Sequence, residues 1–235
     1  MNKMNEKNLD QVLVIIPARG GSKRLPKKNI ELLNGKPLIQ YSIESAYKSK
    51  FVNDIVISTD DEQIIKICKK FKVKIVKRPK ELAQDKTPVM KVIKQAIKQV
   101  EKTTKNIQDI IVILQPTSPL RNSNDIDKAI NKFKKYKRKT VIGVTETSPI
   151  EWMYHKNKEK LIPVIKNKIL HRSQDAKKTY RANGAIFVID RKNAFEQNSV
   201  YSNETIPYIM PPERSIDIDV KFDFEVAECL MKKMK

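Results

Sequence analysis

The chain is poor in glycine, cysteine and tryptophan, and it has no long apolar run. Of its 235 residues only five are glycine, two are cysteine and one is tryptophan. No segment approaches the ~18 consecutive apolar residues of a membrane-spanning helix, and the polar start, MNKMNEKNLDQ, lacks the apolar core of a signal peptide. The two cysteines, Cys68 and Cys229, have no metal-ligand spacing and are typical of packing residues. These absences predict a cytoplasmic protein with no membrane span.

Acidic residues are also scarce relative to basic ones. The 48 lysines and arginines outnumber the 27 aspartates and glutamates, which gives a net charge of +21. Such a charge suits a surface that binds nucleic acid, or it reflects lysines spread over solvated helix faces. The basic run at 134–139 lies at a predicted helix end, where cations interact favourably with the helix dipole. Because aromatic residues make up only 6% of the chain and do not alternate with basic ones, a nucleic-acid-binding protein is a distant alternative.

The apolar residues alternate between short β-rich runs and longer helical patterns. Continuous Val/Ile/Leu runs are typical of strands that are buried on both faces of a parallel sheet. The predicted strands are 11–18, 54–59, 73–76, 109–114 and 140–144. Helices are predicted at 60–71, which Asp60 and Asp61 can cap, and at 88–103, where apolar residues recur with helical spacing. This order predicts an α/β fold, a three-layer α/β/α sandwich with a mostly parallel sheet.

Beyond about Glu146 the alternation breaks down and prolines become frequent. The region 146–212 is therefore predicted to contain an insertion or a dimer-forming subregion. A strand at 215–220 and a helix at 223–234 are predicted to close the chain. With no internal repeat and no low-complexity linker, 1–235 is predicted to form a single domain.

Two of the five glycines are adjacent, in a basic loop directly after the first predicted strand. The loop, PARGGSKRLPKKN, contains five cations: Arg19, Lys23, Arg24, Lys27 and Lys28. In an open α/β sheet, ligands bind outside the carboxyl ends of the strands, where backbone amides and converging cations can hold a triphosphate. The loop matches neither GxxxxGK[ST] nor GxGxxG, which argues against a P-loop NTPase and a dehydrogenase. An exposed basic turn is the alternative interpretation.

A pair of carboxylates near the C-terminus is the second chemical signal. In a strand at 215–220, Asp217 and Asp219 would project from one face with α-carbons ~6.5–7 Å apart. Mg²⁺ takes one or two carboxylates together with substrate phosphates, which suits this pair opposite a triphosphate loop. Polar residues at alternate positions are also typical of any half-exposed strand. Aspartate is nevertheless a poor strand former, and like charges on one face repel each other, so a divalent-cation site is predicted.

Together these motifs resemble those of the CMP-sialic acid synthetases, the acylneuraminate cytidylyltransferases. The resemblance covers most of the chain and rests on IIPARGGSKRLPKKNI, DIVISTDDEQI, ILQPTSPLR, YRANGAIFVID and SIDIDVKFDFEVAE, in family order. It implies a nucleotide-diphosphosugar transferase fold and a site completed across a homodimer by a small dimerisation element. The implied enzyme transfers CMP from CTP to the anomeric hydroxyl of an acidic nine-carbon sugar, such as sialic or legionaminic acid, and releases pyrophosphate. A cytidylyltransferase for Kdo is the alternative, against which the GGSK and SIDID motifs argue.

On the nucleotide side, the resemblance implies roles for residues of the basic loop. The residues that would hold the phosphates and ribose of CTP are Arg19, Ser22, Lys28 and Asn29. Arg78 would lie near the cytidine, and Arg19 and Lys28 would also stabilise the leaving pyrophosphate. Asp217 and Asp219 would hold Mg²⁺, with Mn²⁺ as the alternative metal.

On the sugar side, the resemblance implies that Gln115 and Arg172 contact the acidic sugar. From the residues alone, Gln115 is equally well a loop start after a buried strand. Arg172 is equally well the surface partner of Asp175. The pair Asn183–Gly184 has the composition of a tight turn, and in the family pattern it leads into a strand beside the sugar site.

Overall fold

Helices and strands alternate along the chain in a computed structural model that describes residues 10–234 except 23, 166–171, 173, 175 and 203. The strands are β1 (Val12–Pro17), β2 (Leu32–Leu33), β3 (Lys36–Pro37), β4 (Asp54–Thr59), β5 (Lys74–Lys77), β6 (Ile110–Ile113), β7 (Val141–Thr147), β8 (Tyr154–Asn157), β9 (Lys160–Pro163), β10 (Thr179–Asp190) and β11 (Ile206–Ile209). The helices are α1 (Leu38–Tyr47), α2 (Glu62–Cys68), α3 (Val89–Thr104), α4 (Ser123–Lys135), α5 (Arg191–Glu196) and α6 (Lys221–Lys233). The predicted strands and helices up to β7 are thus present, with ends shifted by a few residues.

Among the described residues, seven strands form one sheet in the order β11-β7-β10-β6-β1-β4-β5. Neighbouring strands are parallel except where β10 runs antiparallel to β6 and to β7. The predicted mostly parallel sheet is therefore confirmed. The reversed strand β10 was not predicted, because its direction depends on how distant segments pack and not on its own apolar pattern.

Apolar side chains pack against both faces of this sheet. On one face, Val12, Val14 and Ile16 of β1 belong to a cluster that includes α1, α2 and α4. On the other face, Leu13 and Ile15 belong to a cluster that includes α3 and α5. Because successive strand residues point to opposite faces, this division confirms the three-layer sandwich.

The helix ends follow from local chemistry. The Asp61 carboxylate accepts hydrogen bonds from the backbone amides of Gln63 and Ile64 and so caps α2. This helix ends at Cys68 and not at the predicted residue 71. The amides of Lys70 and Phe71 donate to carbonyls three residues earlier, which is the 3-10 pattern and not the α-helical one. Pro88 is the N-terminal cap residue of α3.

The cysteine and basic-run predictions have different outcomes. Cys68 is buried in the first apolar cluster, as predicted, whereas Cys229 is exposed on α6, so its assignment as a packing residue is wrong. The basic run at 134–139 lies at the end of α4, as predicted. There the Arg138 guanidinium pairs with Asp10 and Asp190 at 2.8 and 2.7 Å. The run is thus partly neutralised by neighbouring carboxylates.

The prediction of a strand at 215–220 is wrong. The segment follows a 3-10 turn at Pro212–Arg214 and pairs with no strand in the described part of the chain. Its Ile218 amide donates 2.8 Å to the carbonyl of Thr117, which lies in the loop after β6, so there is no ladder for the segment to join. Ile218 is buried, but Val220 is 41% exposed.

The predicted subregion 146–212 contains a separate hairpin and part of the main sheet. Strands β8 and β9 pair with each other in a two-stranded antiparallel sheet, and all their residues are exposed. Strands β10 and β11 return to the main sheet. No helix among the described residues is long and apolar enough to cross a membrane. The cytoplasmic location and the single domain stay predictions.

Candidate active site

A cleft of about 650 Å³ opens beyond the carboxyl ends of β1, β5 and β6. The predicted site residues that line it are Arg19, Ser22, Lys28, Asn29, Arg78, Gln115, Asp217 and Asp219. Arg172 is exposed in the connection between β9 and β10 and does not line this cleft. The structure therefore brings the two chemical motifs together, while the predicted sugar contact of Arg172 stays a prediction. Lys23 and Asp175 lie outside the described residues.

The basic loop is anchored at the end of β4. The amide of Gly20 donates 3.1 Å to the Asp60 carboxylate, and the Asn29 side-chain amide donates 2.9 Å to the carbonyl of Arg19. A Cβ atom on Gly20 would lie 2.4 Å from an oxygen of Asp61, whereas one on Gly21 would meet nothing within 4 Å. Of the adjacent glycines, Gly20 is therefore the one that a close approach requires.

Cations and carboxylates pair with each other across the cleft. The Lys28 ammonium donates 3.0 Å to Asp219 Oδ1 and 2.6 Å to the carbonyl of Ile218. Arg24 pairs with the other oxygen of Asp219 at 2.9 Å, and Arg19 pairs with Asp85. These pairs link the loop after β1 to the C-terminal carboxylate segment and to the segment after β5.

Arg78 has a fixed position at the edge of the cleft. Its side chain is buried, and one terminal nitrogen donates 2.9 Å to the carbonyl of Ser58. Its backbone amide donates 2.7 Å to the carbonyl of Thr59. Burial lowers the pKa of the Arg78 guanidinium, an effect that Asp60 opposes and Arg19 reinforces.

Asp217 lies beside Asp219 in a partly buried position. Burial is the main cause that raises the pKa of the Asp217 carboxyl, and the neighbouring Asp219 raises it further. A hydrogen bond from Thr117 and the charges of Lys28 and Arg181 lower this pKa. A cation bound between the two carboxylates would remove their mutual repulsion.

The carboxylates of the cleft form an incomplete donor set for a metal ion. No group of three or more His, Cys, Asp or Glu side chains in the described ranges could hold a metal by itself. Two carboxylates are nonetheless the usual protein contribution to a Mg²⁺ ion that is completed by substrate phosphates and water. The residues therefore fit an ion shared with a phosphate ligand and do not fit an all-protein metal site.

Gln115 lies two residues after the end of the buried strand β6, beside an irregularity in β10. The Asn183–Gly184 pair, predicted as a tight turn, instead lies within β10, where the pairing register with β7 shifts. Gly184 has a φ of 71°, and a Cβ atom there would lie 2.8 Å from Gln115 Oε1 and 3.5 Å from Asp217 Oδ2. The bulged strand thus approaches the side chains of Gln115, a predicted sugar contact, and Asp217, a predicted metal ligand.

Sequence reasoning missed the buried Arg121 of the QPTSPLR motif. It is 2% exposed and donates to the carbonyls of Gln115 and Ala185 at 3.3 and 2.9 Å, and to the Ser42 hydroxyl at 2.7 Å. Burial lowers the pKa of Arg121, and Asp125 opposes that effect. The buried Arg121 guanidinium therefore holds the main chain at Gln115 in place. The only signal in the sequence is its place at the end of a recognised motif.

A mostly parallel sandwich with a charged cleft at the strand ends is typical of nucleotide-binding enzymes. A solved structure of a CMP:2-keto-3-deoxy-manno-octonic acid synthetase complexed with CTP has the same fold, with a TM-score of 0.69. The match covers 96% of this chain and 100% of that chain at 18% identity. At this identity the likeness shows the fold alone.

The chain belongs to the cytidylyltransferase family, whose sequence model matches residues 13–233. Pseudaminic acid cytidylyltransferase of Campylobacter jejuni subsp. jejuni (serotype O:23/36, strain 81-176) is 35% identical over 94% of this chain and 96% of the relative. N-acylneuraminate cytidylyltransferase of Escherichia coli O18:K1:H7 (strain RS218 / NMEC) is 30% identical over 95% of this chain and 52% of the relative. The family predicted from the motifs is confirmed, and the chain is a nucleotidyltransferase.

Proposed function

We propose that the protein transfers CMP from CTP to the anomeric hydroxyl of a nonulosonic acid and releases pyrophosphate. The observation that carries this proposal is the cleft in which the basic loop after β1 faces Asp217 and Asp219. The names of the relatives, which are cytidylyltransferases for pseudaminic and N-acylneuraminic acid, support this class of acceptor. A Kdo acceptor is the second candidate, because a CMP-Kdo-type synthetase shares the fold.

On the nucleotide side, Arg19, Ser22, Lys28 and Asn29 would contact the phosphates and ribose, and Arg78 the cytidine. Arg19 and Lys28 are already oriented into the cleft by Asp85 and Asp219. A bound triphosphate would replace Asp85 and Asp219 as the partner of these cations, since it carries more negative charge than either carboxylate. The same cations would then stabilise the charge that develops on the leaving pyrophosphate.

The reaction forms a bond between the anomeric oxygen and the α-phosphorus and breaks the bond from that phosphorus to pyrophosphate. Such transfers depend on positioning and on charge neutralisation and need no protein nucleophile. Asp217 and Asp219 would hold Mg²⁺, or Mn²⁺, through their carboxylate oxygens. When bound, the metal would neutralise phosphate charge and lower the pKa of a coordinated hydroxyl. The protein groups hold the two substrates in line and keep the cations directed at the phosphates.

The acceptor would bind where Gln115 and Gly184 approach Asp217. Gln115 would donate a hydrogen bond to the acidic sugar, and its main chain is held by Arg121. Arg172 would contribute from the connection before β10. Substituents on the sugar, which separate sialic, legionaminic and pseudaminic acids, would be recognised by the less regular region 146–212.

We further propose that the protein is a homodimer that uses the hairpin of β8 and β9. A two-stranded hairpin alone is marginally stable in water, and a contiguous apolar surface marks an interaction site. The large apolar residues exposed on and next to this hairpin are Trp152, Met153, Tyr154, Leu161, Ile162 and Val164. A second copy that packs there would cover them.

The decisive experiment is an assay of pyrophosphate release with CTP, Mg²⁺ and one acid at a time. The acids are N-acetylneuraminic, legionaminic, pseudaminic acid and Kdo. We expect release with a nonulosonate that stops when EDTA removes the metal. Release with Kdo alone would favour the second candidate. No release with any acid, from protein that binds CTP and shows a cooperative unfolding transition, would contradict the proposed acceptor class.

A further inference from the structure

The carboxylate segment 215–220 has no strand partner among the described residues, so tertiary contacts must hold it in place. Within the segment, the Ile218 amide donates 2.8 Å to the Thr117 carbonyl. The Asp219 amide donates 2.8 Å to the carboxylate of Asp223, in the first turn of α6. These contacts fix the middle and the end of the segment. Its start requires a separate anchor.

One anchor at the start is an ion pair between Arg214 and Asp125, and the Asn183 side chain also donates a 3.0 Å hydrogen bond to the Ser215 hydroxyl. The Arg214 guanidinium donates two hydrogen bonds to the Asp125 carboxylate, of 3.2 Å from Nε to Oδ2 and 2.9 Å from a terminal nitrogen to Oδ1. Tyr208 of β11 donates a third, of 3.0 Å to Oδ1. Two parallel bonds fix the orientation of a guanidinium as well as its distance.

Asp125 is itself held rigidly. It is 0% exposed, and its Oδ2 atom also accepts a 3.1 Å bond from the amide of Asn122 in the capping box of α4. The following residues of this helix, among them Ile126 and Ile130, are buried against the sheet. A buried carboxylate is costly unless it is paired, so Asp125 requires Arg214. The pair thus ties the start of the segment to the core.

We propose that Arg214, held by Asp125, is a positioning residue that sets the place of Asp217 and Asp219 opposite the basic loop. It lies three residues before Asp217 and is not among the residues that line the cleft, so it acts through the backbone of the segment. This inference rests on the proposed function. A merely structural role for Arg214 would lower the stability of the fold and leave the geometry of the two carboxylates unchanged.

The test compares Arg214→Gln with a matched control, Arg191→Gln. Arg191 also makes a two-point pair, to Glu101 at 2.6 and 2.8 Å, but it joins α5 to α3 outside the cleft. The first measurement is hydrogen exchange of a peptide that contains the Ile218 and Asp219 amides, in protein without nucleotide. The second is the Mg²⁺ concentration that gives half-maximal pyrophosphate release.

For Arg214→Gln we expect exchange in this peptide to rise by ~10-fold or more. The half-saturating Mg²⁺ concentration should rise by ~10–100-fold, the usual effect of losing an outer residue that supports a metal site. Arg214→Lys, which keeps the charge but loses the two-point geometry, should lie between this variant and the wild type. Arg191→Gln should change neither measurement, although it should lose similar thermal stability.

Values for Arg214→Gln within twofold of the wild type in both measurements would overturn the inference, even if its melting temperature falls. If Arg214→Gln does not fold, Tyr208→Phe, which removes one of the three side-chain hydrogen bonds to the Asp125 carboxylate, should shift both measurements in the same direction by a smaller factor. If the wild type releases no pyrophosphate with any acid, the proposed function fails. Hydrogen exchange then decides alone whether Arg214 positions the segment.

Discussion

At the scale of single residues, the cleft contains charges that are unfavourable unless they are paired. Asp217 and Asp219 repel each other, and burial further raises the pKa of Asp217. Arg24 and Lys28 relieve only Asp219 by direct ion pairs. Such perturbed groups in a cleft are typical of functional sites. Substitutions at these positions should therefore affect activity and stability in opposite directions.

Asp217→Asn should lower turnover by at least ~100-fold, because the amide keeps the shape of the side chain but removes a charged oxygen ligand for the metal. Pyrophosphate release measures this loss, and circular dichroism checks that the fold is retained. The matched control is Asp54→Asn at the opposite end of the sheet, where Asp54 pairs with Lys74. That variant should keep wild-type turnover. Full activity of Asp217→Asn would contradict the metal assignment.

The same variant should show a pH-dependent gain in stability. Since the pKa of Asp217 is raised in the folded protein, the native state binds this proton more tightly than the unfolded chain does. The unfolding free energy contributed by Asp217 therefore falls as the pH rises from the unfolded to the folded pKa. Asp217→Asn should be at least as stable as the wild type at pH 7, in urea titrations without metal. The difference should vanish below the unfolded pKa.

Gly184→Ala should raise KM for the acidic sugar while it changes KM for CTP little. Its added Cβ would lie 2.8 Å from Gln115 Oε1 and would displace that amide. The control is Gly35→Ala, at a similar φ of 78° but with nothing within 4 Å of the added atom. Both variants should lose ~1–2 kcal/mol of stability from backbone strain. Equal sugar KM values in the two variants would contradict the placement of Gln115 at the sugar.

At the scale of elements, the hairpin of β8 and β9 stands out because, among the described residues, it pairs with no strand of the main sheet. Its strands expose the large apolar side chains of Tyr154, Leu161 and Ile162 beside polar and charged residues. A protein partner would cover these side chains, which is favourable because it removes apolar area from water. This element, and not the nucleotide cleft, is where the oligomeric state would be determined.

Leu161→Asp should convert the homodimer into a monomer, because a charge would be buried at the interface. Leu161 is 67% exposed in the single chain. The control is Ile107→Asp, which is 66% exposed but lies in the loop before β6. Light scattering after size exclusion measures the mass of each. A wild-type monomer, or a Leu161→Asp variant that is still a dimer, would contradict the proposed interface.

At the scale of the whole molecule, the net charge of +21 has a physical cost. Like charges spread over a compact protein repel each other and destabilise the folded state. The ion pairs at the end of α4 and in the cleft offset only part of this repulsion. The charge therefore predicts how stability responds to salt, while it carries no information about the fold.

Raising NaCl from ~0.01 M to ~0.15 M shortens the Debye length from ~30 Å to ~8 Å and should weaken this repulsion. We expect the melting temperature at pH 7 to rise by ~2–4 °C, which corresponds to ~1 kcal/mol for a protein of this size. Differential scanning calorimetry measures the shift. The rise should disappear near pH 9.8, where the sequence has no net charge. A fall in the melting temperature at pH 7 when NaCl is added would show that the stabilising ion pairs outweigh the charge repulsion.

Local patterns in the sequence determined most of the sandwich and the identity of the family. The continuous apolar run of β1, the cap at Asp61 and the helical spacing after Pro88 each depend on neighbouring residues only, which is why they could be predicted. The basic loop could be placed at the carboxyl end of β1 for the same reason. The motifs also named eight of the residues that line the cleft in the structure.

Tertiary packing alone decided the rest. The direction of β10 and the bulge at Gly184 depend on the strands on either side, which are distant in the chain. The segment 215–220 alternates like a strand but has no strand to pair with in the described part of the chain, so its carboxylates are held by contacts such as Arg214 with Asp125. Burial of Arg121 likewise follows from the packing of three segments around it. A sequence pattern describes one segment, whereas these features arise where several segments meet.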